Sequence, residues 1–192
     1  MATDRLVLHG KVNVYANTMF DAANDAGGAD EVVAVRNQMA QLRHLIYADM
    51  DLSLALNDAS YTPVQRYDLA KAVFADCEVA LRETLAVMAE QGDVSLLGQV
   101  YHAYEEVMAD KLKLVVVDVT TVVPLDDKLR ELIGKKAEAE LGCNAMLNEG
   151  IDESILGGII MSVNGMRIDA SVLSQLNRAR YVLKETDGGD SQ

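Results

Sequence analysis

Apolar side chains recur at helical spacing through the first 111 residues of the chain. In one of these series, residues three or four positions apart make a continuous apolar face: Val32, Val35, Met39, Leu42 and Ile46. Residues that end or start helices separate the series: Gly27-Gly28, Asn57-Asp58, Thr62-Pro63 and Gly92. The pattern predicts six helices joined by short links, which would form an N-terminal six-helix bundle.

The character of the sequence changes in residues 114–123, which hold six valines and two threonines. β-branched residues at this density favour a buried strand. A helix that Gly142 ends is predicted next, and then a short strand over 143–148. Two apolar runs joined by Asn164-Gly165 predict a hairpin, because a type I′ turn needs positive φ at both central residues. Ser171 is expected to cap a final helix.

These elements follow one another as helices first, and then strand, helix, strand, hairpin and helix. Such segregation indicates two domains. We expect a helical domain over 1–111 and an α+β domain over 112–192, with a flexible tail from about residue 186. The predicted fold class is mainly α with a small α+β part.

Charge and composition restrict the partners of the chain. It has 192 residues, a formal net charge of −13 and a sequence pI of about 4.5. An acidic surface repels phosphate backbones, so nucleic-acid binding is not expected. Direct membrane insertion is not expected either, because no apolar run approaches the roughly 20 residues of a spanning helix. The two cysteines, Cys77 and Cys143, lie in no paired motif and fit free thiols in a reducing cytosol.

Candidate catalytic groups are scattered along the sequence. His9, His44 and His102 fall in different segments, with no other ligand at metal-binding spacing. The adjacent carboxylates of Glu105-Glu106 and Asp126-Asp127 would point to different sides of a helix, which indicates solvated faces and a helix cap. The sequence therefore predicts no catalytic residue, no metal and no cofactor.

The glycine pair Gly157-Gly158 invites comparison with phosphate-binding loops. Such a loop follows a strand and opens a helix, whereas this pair precedes a strand. We expect the two glycines to let two backbone segments pass closely or to form a bulge.

On two of the predicted helices, apolar residues extend beyond the single stripe that would be buried in the bundle. Val14, Thr18 and Ala22 lie off the main apolar line of the first helix, and Val87 lies beside the line of a later helix. This width fits a groove for a partner helix. It fits equally well helices that are central in their own bundle, and the pattern leaves both interpretations open.

Short motifs in a fixed order carry a family resemblance. They are Tyr15-Ala16 with Met19-Phe20, VMAE at 87–90, VTTVVPL at 119–125, LGGII at 156–160 and IDASV at 168–172. This ordered set resembles the delta subunit of the bacterial F-type ATP synthase, a family that includes the mitochondrial oligomycin-sensitivity-conferring protein. The likeness spans nearly the whole chain.

The resemblance implies a non-catalytic stator subunit of the peripheral stalk. Such a subunit links the catalytic alpha/beta hexamer to the b-subunit stalk, so that proton-driven rotation is coupled to ATP synthesis. It would lie at the cytoplasmic face of the cell membrane, as a peripheral part of the complex.

The resemblance also implies partner-binding residues. The first and fifth predicted helices would bind the N-terminal helix of an alpha subunit through Tyr15, Thr18, Met19, Ala22, Thr84, Val87 and Met88. The C-terminal domain would contact the C-terminal region of the b subunit, with Arg178 and Arg180 as the contact residues.

Two other classes of protein compete with this interpretation. One is an unrelated adaptor whose bundle binds some other helix. The other is a small enzyme whose site forms only in three dimensions, in a deep pocket near Asp118 or Asp169.

Overall fold

The computed structural model describes residues 2–48, 50–58 and 60–177 of the chain. The described residues are mostly helical, and a small mixed sheet lies toward the C-terminal end. The chain divides into two compact units, Met1–Leu112 and Lys113–Gln192. The part of the predicted final helix beyond residue 177 and the tail expected from about residue 186 lie outside the described residues.

The first unit is helical throughout its described part. Its elements are α1 (Ala2–Ala48), α2 (Met50–Asn57), α3 (Pro63–Val73), α4 (Val79–Gln91), a 3-10 turn (Val94–Leu96) and α5 (Leu97–Lys111). Helix α3 starts with a capping box, since the Thr62 hydroxyl accepts from Gln65 N and the Gln65 side chain accepts from Thr62 N.

The prediction of six separate helices is wrong at the first link. The first two predicted helices form one element, α1, which is interrupted only at Gly28 (φ 67°, ψ −147°). A glycine adopts this left-handed φ without strain, so the helical run breaks and resumes without a loop. The described part of the first unit therefore consists of α1–α5, in which α1 is made of two helical segments that join directly at Gly28.

The core of the first unit forms where α1 packs against α4 and α5, and where α3 packs against α4. Its large, fully buried side chains include Met19, Met39, Leu81, Leu85, Met88 and Tyr104. The Tyr104 hydroxyl donates to the carbonyl of Val32 at 3.1 Å, which satisfies the polar end of a buried ring.

A buried ion pair joins α1 to α5 in the same core. Arg36 is 1% exposed and donates through Nε and Nη2 to one oxygen of Glu105, at 3.1 Å and 2.7 Å. The prediction that Glu105 belongs to a solvated face is therefore wrong, because Arg36 compensates the charge of its carboxylate inside the unit. Asp126, in contrast, is the predicted helix cap: its side chain accepts from Leu129 N at 2.6 Å.

The second unit follows the predicted order of strand, helix, strand, hairpin and helix. Its elements are β1 (Leu114–Thr121), α6 (Asp127–Leu141), β2 (Asn144–Ile151), a 3-10 turn (Glu153–Ile155), β3 (Ile159–Val163) and β4 (Met166–Asp169), and residues 172–177 are helical. The strands lie in the order β2-β1-β3-β4. The β1–β2 pair is parallel, whereas β1–β3 and β3–β4 are antiparallel.

The hairpin has the predicted turn, with φ of 47° at Asn164 and 77° at Gly165. One face of the sheet buries Val117 and Val119 together with Leu125, and partly buried side chains of α6 and β3 pack on this cluster. At Gly158 a Cβ atom would lie 2.4 Å from the carbonyl oxygen of Ala170. The glycine pair therefore serves a close backbone approach, as expected from its position before a strand.

Candidate partner-binding groove

Helix α1 presents short side chains four residues apart along one side: Val14, Thr18, Ala22 and Ala26. Residues at this spacing lie above one another on a helix. Because these side chains are short, they leave space between α1 and α4 instead of filling it. The space is a groove of about 430 Å³, which Val79, Ala80, Thr84 and Val87 line from the α4 side.

The structure brings together five of the seven residues predicted to bind a partner helix: Tyr15, Thr18, Ala22, Thr84 and Val87 all line this groove. Met19 and Met88 do not line it. Both are fully buried in the core, because each is one position away from a groove residue and adjacent residues face different sides of a helix. Met19 and Met88 therefore belong to the core of the first unit and are not exposed to a partner.

Sequence reasoning missed five residues that line the groove: Ala26, Glu31, Val79, Ala80 and Glu83. It named Val14 for the extra apolar width of the first helix, but not among the residues predicted to bind a partner. A signal for Val14 and Ala26 was present, since they extend the spacing of Thr18 and Ala22 by one turn in each direction. Glu31 and Glu83 carried no such signal, because charged residues on a helix are usually solvated.

The lining is apolar and accessible. Val14 is 64% exposed and Val87 is 40% exposed, although both are aliphatic. Thr84, at the same groove wall, donates its hydroxyl to the carbonyl of Ala80 at 2.8 Å. Its polar atom is thereby satisfied within α4, and its methyl group remains available for apolar contact.

Tyr15 closes one end of the groove through a polar contact. Its hydroxyl donates to Asp93 at 2.9 Å, and Lys11 Nζ lies 3.0 Å from the same carboxylate. Burial, the hydrogen bond to Asp93 and repulsion by that carboxylate raise the pKa of Tyr15 to about 12. The phenol is therefore neutral under physiological conditions and holds α1 against the end of α4.

Glu83 lies at the groove wall but already has cationic partners. Lys71 Nζ is 2.9 Å away and Arg82 Nη2 is 3.4 Å away, and the Tyr67 hydroxyl donates at 3.1 Å. The hydrogen bond from Lys71 is the main cause that lowers the pKa of Glu83, and the same bond raises the pKa of Lys71. The charge of Glu83 is thus offset within the first unit.

A second apolar groove, of about 840 Å³, lies in the C-terminal unit between α6 and the β3–β4 hairpin. Leu132 on α6 and Met166 and Ile168 on β4 line it and are largely exposed. The predicted contact residues Arg178 and Arg180 lie outside the described residues.

The competing hypothesis of a small enzyme predicts a deep pocket near Asp118 or Asp169. An open cavity of about 800 Å³ does lie beside Asp169, with Asp152 and Arg167 in its lining. Asp169, however, accepts hydrogen bonds from the backbone N and the hydroxyl of Ser171, at 3.0 Å and 2.7 Å. This arrangement stabilises the start of the final helix.

In the described part of the chain, His, Cys, Asp and Glu side chains form no group of three or more that could hold a metal ion. Over the same residues, no helix is both long enough and apolar enough to cross a bilayer. Cys77 and Cys143 are free thiols and are half-buried.

Comparison with known proteins identifies the family. A model of the family described as "ATP synthase delta (OSCP) subunit" matches residues 12–183. The chain belongs to this family. Its curated relatives include ATP synthase subunit delta of Azorhizobium caulinodans, 26% identical over 181 residues that cover 93% of this chain and 96% of the relative. Subunit delta of Paracoccus denitrificans is 27% identical over 177 residues, which cover 89% and 90% of the two chains.

A solved structure supports the fold. A chain of the Toxoplasma gondii mitochondrial ATP synthase hexamer matches with a TM-score of 0.50 and 19% identity, over 90% of this chain and 96% of that one. At this identity the match concerns the fold alone.

Membership of the delta (OSCP) family decides between the classes of function left open by the sequence. The chain is a non-catalytic subunit of an F-type ATP synthase, with a role in the peripheral stalk, and it is not an enzyme by itself. The family also excludes the unrelated adaptor.

Proposed function

We propose that the groove between α1 and α4 receives the N-terminal helix of an alpha subunit, and that the C-terminal unit holds the C-terminal region of the b-subunit stalk. The chain would then tie the catalytic hexamer to the stalk at the cytoplasmic face of the membrane. Its task is to resist the torque of the rotor, which requires slow dissociation more than fast association.

The observation that carries this proposal is the exposed apolar lining of the groove. Val14, Val79 and Val87 keep between 40% and 64% of their surface accessible, along a channel open to solvent. An amphipathic helix binds such a channel through anchors spaced three and four residues apart. Each aliphatic side chain that becomes fully buried contributes about 1.5–3 kcal/mol, and this contribution does not weaken with salt.

The C-terminal unit supports the second half of the proposal in the same way. The channel between α6 and the hairpin exposes Leu132, Met166 and Ile168, and it offers an apolar surface to a stalk helix. Arg178 and Arg180 follow the described residues of this unit in sequence and are proposed as additional contacts with the stalk.

The net charge of −13 fits partners that carry basic residues. Charge complementarity increases the association rate and discriminates against acidic partners, whereas the apolar contacts determine the dissociation rate.

The test is the variant Val87→Asp, because it places a carboxylate in the apolar wall without disturbing the core. We expect the affinity for a synthetic alpha-subunit N-terminal peptide to fall by at least about tenfold, since burial of a charged group opposes docking. Isothermal titration calorimetry with the full-length chain measures this change.

The matched control is Val73→Asp on α3. Val73 is 45% exposed, close to the 40% of Val87, and does not line the groove. Val73→Asp should therefore leave the affinity unchanged. Equal affinities of Val87→Asp and the unaltered chain would contradict the proposed site.

A further inference from the structure

The first turns of α1 extend beyond the groove and beyond the core of the first unit. Residues 6–11 are all exposed, and the buried part of α1 begins with Val12, which is 5% exposed. Leu6, Val7 and Leu8 are nevertheless large and aliphatic, with 74%, 60% and 39% of their surface exposed. Adjoining aliphatic residues that are exposed next to an apolar groove indicate an interaction surface.

Val7 lies on the side of α1 that forms the groove. A helix turns by about 100° per residue, so Val7 and Val14, seven residues apart in sequence, differ by only about 20° in direction. Gly10 lies between them, and a Cβ atom there would meet nothing within 4 Å. The groove side of α1 therefore continues from Val14 through Gly10 to Val7, at spacings of four and three residues. We call these three residues the α1 strip.

Polar side chains of the same turns lie on other sides of α1. His9 follows Val7 by two residues and therefore points the opposite way, and its Nδ1 lies 3.1 Å from Nδ2 of Asn13. Lys11 is held toward the end of α4, where its Nζ lies 3.0 Å from a carboxylate oxygen of Asp93. The α1 strip is thus an apolar side that the rest of the described chain leaves uncovered.

The groove and the α1 strip are continuous. Helix α4 ends at Gln91, and Asp93 just beyond it accepts a hydrogen bond from Tyr15. Tyr15 is one residue from Val14 and hence turned about 100° away from it, so this contact does not separate Val14 from Val7. A helix that lies in the groove can therefore run on along α1 past the end of α4.

We propose that the helix docked between α1 and α4 does so, and packs on the α1 strip as well as in the groove. The occupant of the strip is the alpha-subunit N-terminal helix itself and not a second partner, because the strip and the groove share Val14 and follow the same side of α1. This inference rests on the proposed function, since it determines the length of the helix that the same groove binds.

The α1 strip sets a minimum length for the docked helix. From Val14 to Ala26 the groove spans about 18 Å, which corresponds to about 12 residues of helix. From Val7 to Ala26 the continuous side of α1 spans about 29 Å, or about 19 residues. Two further turns of the partner thus find apolar contacts, and these contacts slow its dissociation.

The experiment is isothermal titration calorimetry of the full-length chain with a synthetic alpha-subunit N-terminal peptide of about 20 residues. Val7→Asp places a carboxylate on the α1 strip, so it should weaken binding about tenfold. His9→Asp is the matched control, because it places the same charge two residues away, at an exposed position on the opposite side of α1. It should bind as the unaltered chain does. Circular dichroism verifies that both variants keep their helical content.

Shortened peptides test the α1 strip without altering the chain. Two peptides each lack about two turns of helix, one from either end. One of them should bind the unaltered chain about tenfold more weakly than the full peptide and should bind Val7→Asp with that same reduced affinity, because it no longer reaches Val7. Val87→Asp should still weaken its binding, since Val87 lines the groove.

Several results would contradict the inference. If Val7→Asp bound the full peptide as the unaltered chain does, or if His9→Asp weakened binding equally, the α1 strip would not be part of the site. A continued loss of affinity in Val87→Asp would then leave the proposed function intact. A free chain that sediments as a dimer and that Val7→Asp makes monomeric would show that a second copy covers the strip, and would also overturn the inference. No binding of the peptide by the unaltered chain would overturn both proposals.

Discussion

Gly158 has the least room of any described glycine in the C-terminal unit. A Cβ atom there would lie 2.4 Å from the Ala170 carbonyl oxygen and 2.9 Å from the Cα of Ser171, and φ is +82°. We predict that Gly158→Ala destabilises this unit by about 2–4 kcal/mol, because both the clash and the left-handed φ penalise the new side chain. Native-state hydrogen exchange of the strand amides in β1 and β3 measures the loss.

Gly134 offers a matched control for this substitution. It lies within α6, and a Cβ atom there would meet nothing within 4 Å. Gly134→Ala should stabilise the same unit by about 0.5–1 kcal/mol, because alanine favours the helix. If Gly158→Ala left exchange protection unchanged, or increased it as Gly134→Ala should, the close approach of residues 158 and 170 would be wrong.

At the residue scale, the sequence is informative where geometry is local. Asn164-Gly165 predicts its turn because the required φ values depend on these two residues alone. Met19 shows the opposite case. Met19 lies in the core and its neighbour Thr18 lines the groove, and which of the two faces the groove depends on the rotation of α1 against α4. A helical pattern with apolar residues on several sides does not determine that rotation.

Between elements, the least predictable contact is the Arg36–Glu105 pair of α1 and α5. The two residues are 69 positions apart, and neither lies in a motif. We predict that Glu105→Ala destabilises the first unit by about 3–5 kcal/mol, because Arg36 keeps a buried charge without its carboxylate partner. Replacing both, as Arg36→Met with Glu105→Leu, should recover most of this loss. Urea unfolding followed by circular dichroism measures both effects.

Asp21→Ala is the control, because Asp21 and Lys111 join the same two helices at the surface, 2.7 Å apart. Both side chains are exposed, so breaking this pair should cost less than about 1 kcal/mol. A cost for Glu105→Ala that matched the cost for Asp21→Ala would show that burial of the pair contributes nothing.

The elements themselves were largely predictable from spacing, since buried side chains repeat with the period of the helix or strand. The number of separate helices was not. Gly27-Gly28 is a strong helix-ending signal in a sequence, yet only Gly28 leaves the helical region and α1 resumes at once. Whether a glycine pair ends a helix or interrupts it depends on the packing of the residues on both sides, and this packing is not local.

At the scale of the whole molecule, each of the two units has its own core. The first buries Met19, Met39 and Tyr104 among α1–α5, and the second buries Val117 and Val119 between its sheet and α6. Each unit also has its own apolar groove. Independent cores permit independent partners, which is what a link between two other bodies requires.

The last prediction concerns this division of binding between the units. A fragment of residues 1–112 contains all of the first unit, including α1 and α4 with the groove between them. We expect it to fold to a helical, cooperatively unfolding protein and to bind the alpha-subunit peptide with the affinity of the full chain. It should not bind the C-terminal region of the b subunit, whereas the full chain should bind both. Circular dichroism and calorimetry with each partner test this.

Two outcomes would contradict the prediction. Binding of the b-subunit region by the fragment would place the stalk contact on the first unit. A fragment that folds but has lost affinity for the alpha-subunit peptide would show that the groove needs the second unit to function.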